Sequence, residues 1–184
     1  MAALGQMRSD AVRNRGRILE TALEQITTRG PEVSMDEIAR AAGVAVGTLY
    51  RHFPTKADLV AATLEQHISV VADQLESAAQ NVAQGESATD LILDLFAGSA
   101  DSQAEGRLLK EIARSLGVYD TSGEAMQRMD SAVRTMLEQG VANGTVRPTI
   151  EPSDIYLLMS TLPTEQPEPV RRRWAELVLR GIGA

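Results

Sequence analysis

Residues 34–56 read SMDEIARAAGVAVGTLYRHFPTK, and this stretch decides the fold. Ser34-Met35-Asp36-Glu37 has the form of a capping box, which satisfies the orphan amides at a helix start. Met35, Ile38, Ala39 and Ala42 then recur at helical spacing and form one apolar face. Gly43 breaks that helix and supplies the positive φ a tight turn needs. A short helix is expected over about 45–52, anchored by Leu49 and Phe53 and stopped by Pro54. Ile38, Ala39, Val44, Leu49 and Phe53 can pack the two helices together, and small Ala39 and Ala42 let them approach closely. Two short helices joined in this way are a helix-turn-helix, whose second helix enters a DNA major groove.

With Leu49 and Phe53 inward, the outward residues of the second helix are Gly47, Thr48, Tyr50, Arg51 and His52. The hydroxyls of Thr48 and Tyr50 can donate to phosphate, and His52 beside Tyr50 adds a further phosphate contact. Gly47 has no side chain and lets backbone approach a base edge. Lys56 begins the next helix, where its ammonium and the terminal amides can hold one phosphate together. All of these groups serve to hold a duplex.

Helical periodicity continues on both sides of this stretch. Ile18, Leu19, Ala22, Leu23 and Ile26 form one face of a first helix that ends at Gly30-Pro31. Thr55-Lys56-Ala57-Asp58 caps a long fourth helix running to about Gly85. Five more are expected over 88–98, 104–116, 123–142, 153–162 and 168–182. No alternating β-branched run between turns signals a strand. The expected fold is all-α, with about nine helices: a three-helix DNA-binding domain followed by a helical bundle. The expected division is a flexible basic arm over 1–11, the helix-turn-helix domain over 12–56, and an effector-binding and dimerisation domain over 57–184.

The chain has 184 residues, long enough to bury a core without staples. It has no cysteine, which excludes disulfides, thiolate catalysis and Cys-ligated metal sites. With two histidines besides, no metal site is expected. The opening MAALGQMRSD lacks the apolar stretch of a signal peptide. The apolar segment from Ile155 to Pro163 is about half the length that spans a bilayer. A cytoplasmic location and no membrane partner are therefore expected.

The net charge of −7 taken alone argues against phosphate binding. Its distribution changes that reading. Residues 1–60 hold 8 Lys/Arg and 7 Asp/Glu, whereas 61–184 hold 10 and 18. Arg8, Arg13, Arg15 and Arg17 stand against Asp10 alone, so an acidic body carries a locally basic front.

Three segments together resemble the tetracycline-repressor (TetR) family of bacterial transcription regulators. They are Arg17-Ile18-Leu19-x-x-Ala22, Asp36-Glu37-Ile38-Ala39-x-Ala41-Ala42-Gly43-Val44, and Gly47-Thr48-Leu49-Tyr50-Arg51-His52-Phe53-Pro54-x-Lys56. The close match covers about 12–70. The resemblance implies that Ser34, Gly47, Thr48, Tyr50, His52 and Lys56 contact DNA, and that the remainder is a bundle dimerising through its last two helices and binding a small effector. Beyond about residue 70 only Gly144-Thr145-Val146-Arg147-Pro148, followed by Pro152-x-Asp154, matches the entry to the penultimate helix of such regulators.

Departures from the family pattern bear on specificity. Ile26 stands where the family often has Phe, a mild core exchange. Ala45 replaces the Ser or Thr that commonly caps the recognition helix, a loss of about 0.5–2 kcal/mol. Val46 replaces a polar or basic residue. Sequence reading is then expected to lean on Arg51, on thymine-methyl contact by Val46 and on DNA shape.

For the effector, Phe96, Met126, Met129, Tyr156 and Met159 are the candidate pocket lining, with soft and aromatic side chains suited to an apolar cavity. At helical spacing the same methionines also suit a core. Arg107, Arg114 and Arg134 are candidate counter-charges to an acidic effector or a solvated face. The candidate dimer surface is Ile155, Leu158, Val170, Trp174, Leu177 and Val178, flanked by Arg171-Arg172-Arg173. The Arg8–Arg17 run is a candidate backbone or minor-groove arm.

These readings converge on a homodimeric, ligand-responsive transcription repressor that binds a palindromic operator and is released by a small molecule. No cofactor, catalytic residue or metal is expected. The rival readings are an activator of the same family, a helical small-molecule carrier without DNA activity, and an enzyme. No nucleophile, base and acid set supports the last, because Asp36-Glu37 is explained by capping.

Overall fold

A computed structural model of the protein describes the backbone of residues 2–98, 100–120 and 122–183, and the side chains of 13–96, 101–120 and 122–183. Among the described residues the regular elements are all helices: α1 (Ala2–Arg29), α2 (Met35–Ala41), α3 (Val46–His52), α4 (Lys56–Ala83), α5 (Ala88–Gly98), α6 (Ala100–Ser115), α7 (Glu124–Ala142), α8 (Pro152–Ser160) and α9 (Glu168–Ile182). The all-α expectation holds. The helix α1 runs through residues 2–11, the segment expected as an arm, and the side chains there, Arg8 included, lie outside the described residues.

The chain forms two compact units, Met1–His67 with Glu105–Asp120, and Ile68–Ala104 with Thr121–Ala184. The first unit therefore takes in the opening of α4 and most of α6 in addition to the three helices around the turn. Its core comes from every one of these elements: Ile18, Leu19, Ala22 and Ile26 of α1, Ile38 and Ala39 of α2, Leu49 of α3, Leu59, Val60 and Leu64 of α4, and Leu109 and Ala113 of α6. The α1 stripe read from the sequence is thus buried as a stripe, with α1 packed on α2 and α2 on α3. With seven residues each, α2 and α3 are too short to persist alone, so packing of their apolar faces supplies their stability.

In the second unit α5 packs against α9 and α7, and α7 against α8. Gly140 of α7 makes the α5 contact close: a Cβ there would come within 2.8 Å of Ala88 Cβ and 2.7 Å of Val146 Cγ2. The polar corners are tied by helix-end bonds. Asn143 Nδ2 donates to the Val82 carbonyl near the end of α4, and Thr89 Oγ1 donates to the Thr145 carbonyl. Arg147 donates from its backbone N to Ile182 O (3.0 Å) and from Nε to Gly183 O (2.7 Å), so a cation meets the carbonyl end of α9. No helix among the described residues is long and apolar enough to cross a membrane.

Candidate nucleic-acid interface

The corner between α1 and α2 is organised by one carboxylate. Glu37 accepts from the Ser34 backbone N–H (2.9 Å), from Ser34 Oγ (2.7 Å) and from Arg29, while Ser34 Oγ accepts from the Glu37 N–H (3.3 Å). This is the capping box expected from the sequence, extended by an arginine from the end of α1. The Ser34 amide and hydroxyl, and then Arg29, hold the Glu37 carboxyl down at about 2. Ser34 is therefore engaged in its own cap, at an exposed position.

The turn closes as the spacing demands. Gly43 has φ +64, its N–H donates to Arg40 O, and the Val44 N–H donates to Ala39 O. These are the two bonds of a Schellman end, and the left-handed residue between them favours glycine. The helix α3 follows immediately. Its N-cap, Ala45, makes no side-chain cap bond, and within α3 only Leu49 is buried. Phe53 closes the helix from a buried position, and the Arg15 guanidinium of α1 lies 5.2 Å above its ring. One member of the N-terminal arginine run is thereby spent on holding α1 against the end of α3, and Arg17 donates to Asn14.

The outward face of α3 is open. Val46 is 41% and Tyr50 44% exposed, unusual values for large apolar and aromatic side chains. Gly47 and Arg51 are exposed, Thr48 and His52 half-buried, and none of the described residues pairs with Arg51. Nothing within 4 Å would meet a Cβ on Gly47, so this glycine leaves an open notch in the face. Gly47 and Arg51 lie on the side of α3 opposite Leu49, Val46 and Tyr50 are exposed toward one flank, and Thr48 and His52 are half-buried toward the other.

Lys56 opens α4 beside Thr55, which exchanges hydrogen bonds with Asp58 in a second capping box. The Lys56 ammonium donates to the carbonyl oxygen of Pro31 in the α1–α2 loop. That contact lies 25 residues away and was not visible in the sequence. It fixes the ammonium beside the helix start and leaves two of its three donors for another acceptor.

The residues expected to line an effector pocket are spread over different environments. Phe96 is buried and its ring centroid lies 5.9 Å from that of Trp174, so it is a core residue. Met129 is buried as well, and Met126 and Met159 are half-buried. Tyr156, half-buried, donates its hydroxyl to Asp130 (3.2 Å), which also accepts from Arg134. Burial, the Asp130 charge and that hydrogen bond push the Tyr156 phenol far above its usual range. A groove of about 370 Å³ in the second unit is lined by other residues: Gln74, Ser77, Ala78 and Asn81 of α4, and Leu91, Asp94 and Leu95 of α5.

The candidate dimer surface divides in a similar way. Val170 and Leu177 are exposed, and Leu158 and Val178 half-buried. Ile155 is 2% exposed within its own unit, so it faces the core, and half-buried Trp174 sets its ring 5.9 Å from that of Phe96. Helical spacing gave the stripe but not its direction. Leu157, absent from the expected set, is 63% exposed. Its signal was its place two residues after Ile155, off the inward stripe. Of the flanking arginines, Arg172 and Arg173 pair with Glu176, and Arg171 donates to the Gln166 carbonyl.

Comparison with known proteins places these features. Residues 18–63 match the family described as bacterial regulatory proteins, tetR family. An HTH-type transcriptional regulator of Staphylococcus aureus is 39% identical over 71 residues, a match that spans 38% of this chain and 38% of that relative. Over nearly the full length, the chain resembles the crystal structure of a TetR transcription regulatory protein from Mycobacterium vanbaalenii, with TM-score 0.74 and 28% identity across 97% of this chain and 99% of the other. A gamma-butyrolactone receptor described as ArpA-like shares the fold at TM-score 0.62 and 23% identity, over 95% of this chain and 90% of the other.

Proposed function

Because the chain belongs to the tetR family of bacterial regulatory proteins, we propose that it is a homodimeric transcription repressor that binds a near-palindromic operator in the cytoplasm and is released by a small molecule. The observation that carries this reading is the solvent-open face of α3, where Val46, Gly47, Tyr50 and Arg51 stand exposed above a single buried anchor, Leu49. Such a face has no packing role within its own unit and fits a major groove. In this reading Tyr50, Thr48, His52, Ser34 and Lys56 hold the DNA backbone. Arg51 reads a base edge, Val46 meets a thymine methyl, and Gly47 admits the backbone.

One such head gives one half-site and little affinity. Pairing through α8 and α9 would present two, about one DNA turn apart. The exposed Leu157, Val170 and Leu177 supply apolar surface for that pairing. The helix α4 runs unbroken from Lys56 in the first compact unit to Ala83 in the second. An effector held by the bundle can therefore act on the reading head through one continuous element. It needs only a few kcal/mol of preference for the released form to shift the population. The gamma-butyrolactone receptor of the same fold supports a small-molecule effector by analogy of fold alone.

The deciding experiment is selection of the purified protein on random and genomic DNA fragments, followed by sequencing. Enrichment of an inverted repeat is the expected result. A folded, dimeric protein that enriches no sequence, with no ligand found on it by mass spectrometry, would overturn the repressor reading in favour of a carrier. The specificity reading has its own check: Val46→Lys should change the preferred half-site, and an unaltered preference would remove Val46 from the set of reading residues.

A further inference from the structure

The chain has only two lysines among its 18 basic residues, and each has a distinct setting. Lys56 is bonded at the head of α4. Lys110, in the middle of α6, is half-buried and forms no hydrogen bond or ion pair with any described residue. One turn further on, Arg114 is exposed and also lacks a carboxylate partner among the described residues. Its guanidinium carbon lies 4.4 Å from the centre of the Tyr119 ring. One turn before Lys110 stands Arg107, on the same side of the helix by its spacing. The neighbouring acid Glu111 is exposed on a different side of α6.

This arrangement costs stability. Like charges at i and i+4 repel along a helix, and a desolvated ammonium without a partner loses its hydration for no return. Burial, and then Arg114, hold the Lys110 ammonium below the usual lysine range. The expense is conspicuous in a protein with 25 acidic side chains, any of which placed nearby would relieve it. A half-buried ammonium with no partner, one turn from a second cation that also lacks a carboxylate, is a candidate site for an anion from outside.

The packing beneath the cluster is firm. Gly106, one turn before Lys110 on the same stripe, lies so close to α4 that a Cβ there would come within 2.8 Å of His67 Nε2. The face carrying Lys110 is thus the face of α6 that meets α4 inside the first compact unit, the unit that also holds the helix-turn-helix.

We propose that Lys110 and Arg114, with the Tyr119 ring from the loop that follows α6, form a recognition site for the carboxylate of a small organic acid. The ammonium and the guanidinium each donate to the carboxylate, and the tyrosine ring offers an edge to the apolar body of the ligand. Carboxylate is favoured over inorganic anions because the site pairs its two cations with an aromatic ring. The site deepens the regulator reading, since it would give the effector its chemical class and put it in the same unit as the reading head. Its binding chemistry is tested without DNA.

The two lysines make the test direct. In full-length protein carrying ¹³C-labelled lysine, two side-chain Cε signals are expected, assigned by the loss of one in Lys110→Met and of the other in Lys56→Met. Titration with sodium benzoate at constant ionic strength should shift the Lys110 signal saturably and leave the Lys56 signal in place. Arg114→Gln should weaken that binding about tenfold, the value of one charge-assisted hydrogen bond. Circular dichroism checks that both variants remain folded. A Lys110 signal that benzoate moves no more than chloride does would overturn the proposal. So would an equal response to inorganic phosphate, which would show general attraction of anions only. If benzoate binds but the fragment selection enriches no operator, the site stands and the regulator reading fails.

Discussion

Arg128 of α7 grips Glu76 of α4 with two donors, Nε to one carboxylate oxygen at 2.9 Å and Nη2 to the other at 2.7 Å. Nη2 also reaches Asp73 at 2.5 Å, and Nη1 reaches Ser69 Oγ at 3.3 Å. One guanidinium therefore spans two turns of α4, and its bonds to Glu76 and then Asp73 hold it firmly protonated. The bidentate fork makes the pairing directional in a way a lysine would not reproduce. Arg128→Met should lower the melting temperature, and Arg128→Lys should recover only part of the loss. The partners are one-third or more exposed, so thermal melts at low and high salt should show the difference from wild type shrinking as salt rises. A salt-independent difference would mean that the aliphatic stem, not the charge, provides the stability.

Glu37 gives the head a defined acid limit. Its carboxyl sits at about 2 in the folded chain against an ordinary 4.5. A carboxyl with a depressed folded value binds fewer protons folded than unfolded. Its contribution is therefore complete above about 4.5 and is lost as pH falls from there toward 2. Glu37→Gln should be less stable than wild type at neutral pH, and the two should converge as pH falls through that window. Melting curves collected across the window check this, and parallel curves would show that Glu37 contributes nothing through its charge.

The proposed DNA contacts are separable by salt. Tyr50→Phe and Lys56→Ala should each weaken binding to every duplex without changing sequence preference. Lys56→Ala should also reduce the slope of log affinity against log salt by about one per half-site. Fluorescence anisotropy over a salt series measures both quantities. An unchanged slope for Lys56→Ala would show that its ammonium stays with Pro31 and never reaches a phosphate.

Trp174 and Leu177 lie one turn apart on α9 but should fail differently. Trp174→Ala removes a ring packed on Phe96 and should cost about 3 kcal/mol of stability. Leu177→Asp, at a position 52% exposed, should leave the fold intact and convert dimer to monomer. Light scattering and thermal melts on the two variants distinguish these outcomes. A Leu177→Asp protein that remains dimeric would move the pairing surface elsewhere.

The helix ends were legible in the sequence because their signals are local. The Ser34 and Thr55 boxes, Gly43 and Pro54 each act within four residues, and α2, α3 and the start of α4 fall where these signals put them. Periodicity also located α5, α7 and α9, expected over 88–98, 123–142 and 168–182 and found at Ala88–Gly98, Glu124–Ala142 and Glu168–Ile182. It left open which way a stripe faces when a helix has two apolar sides. Ile155 and Leu157 both belong to α8, yet one is buried and the other 63% exposed. Long-range partners were equally hidden. Nothing near Lys56 announces Pro31, and nothing near Arg128 announces Glu76, because those choices are made by tertiary packing.

The uncapped start of α3 has a consequence for how the head recognises DNA. A seven-residue helix with no side-chain cap and one buried side chain has little order of its own, since short helices without packing are marginal in water. Its amides should exchange with solvent faster than those of α2, which is boxed at one end and closed by Gly43 at the other. In the proposed regulator, part of the free energy of DNA binding is then spent on quieting this helix, so the match between protein and operator is completed on the duplex. Half-sites of slightly different shape can each be met by a small adjustment about Leu49, at a cost in entropy instead of a cost in lost contacts.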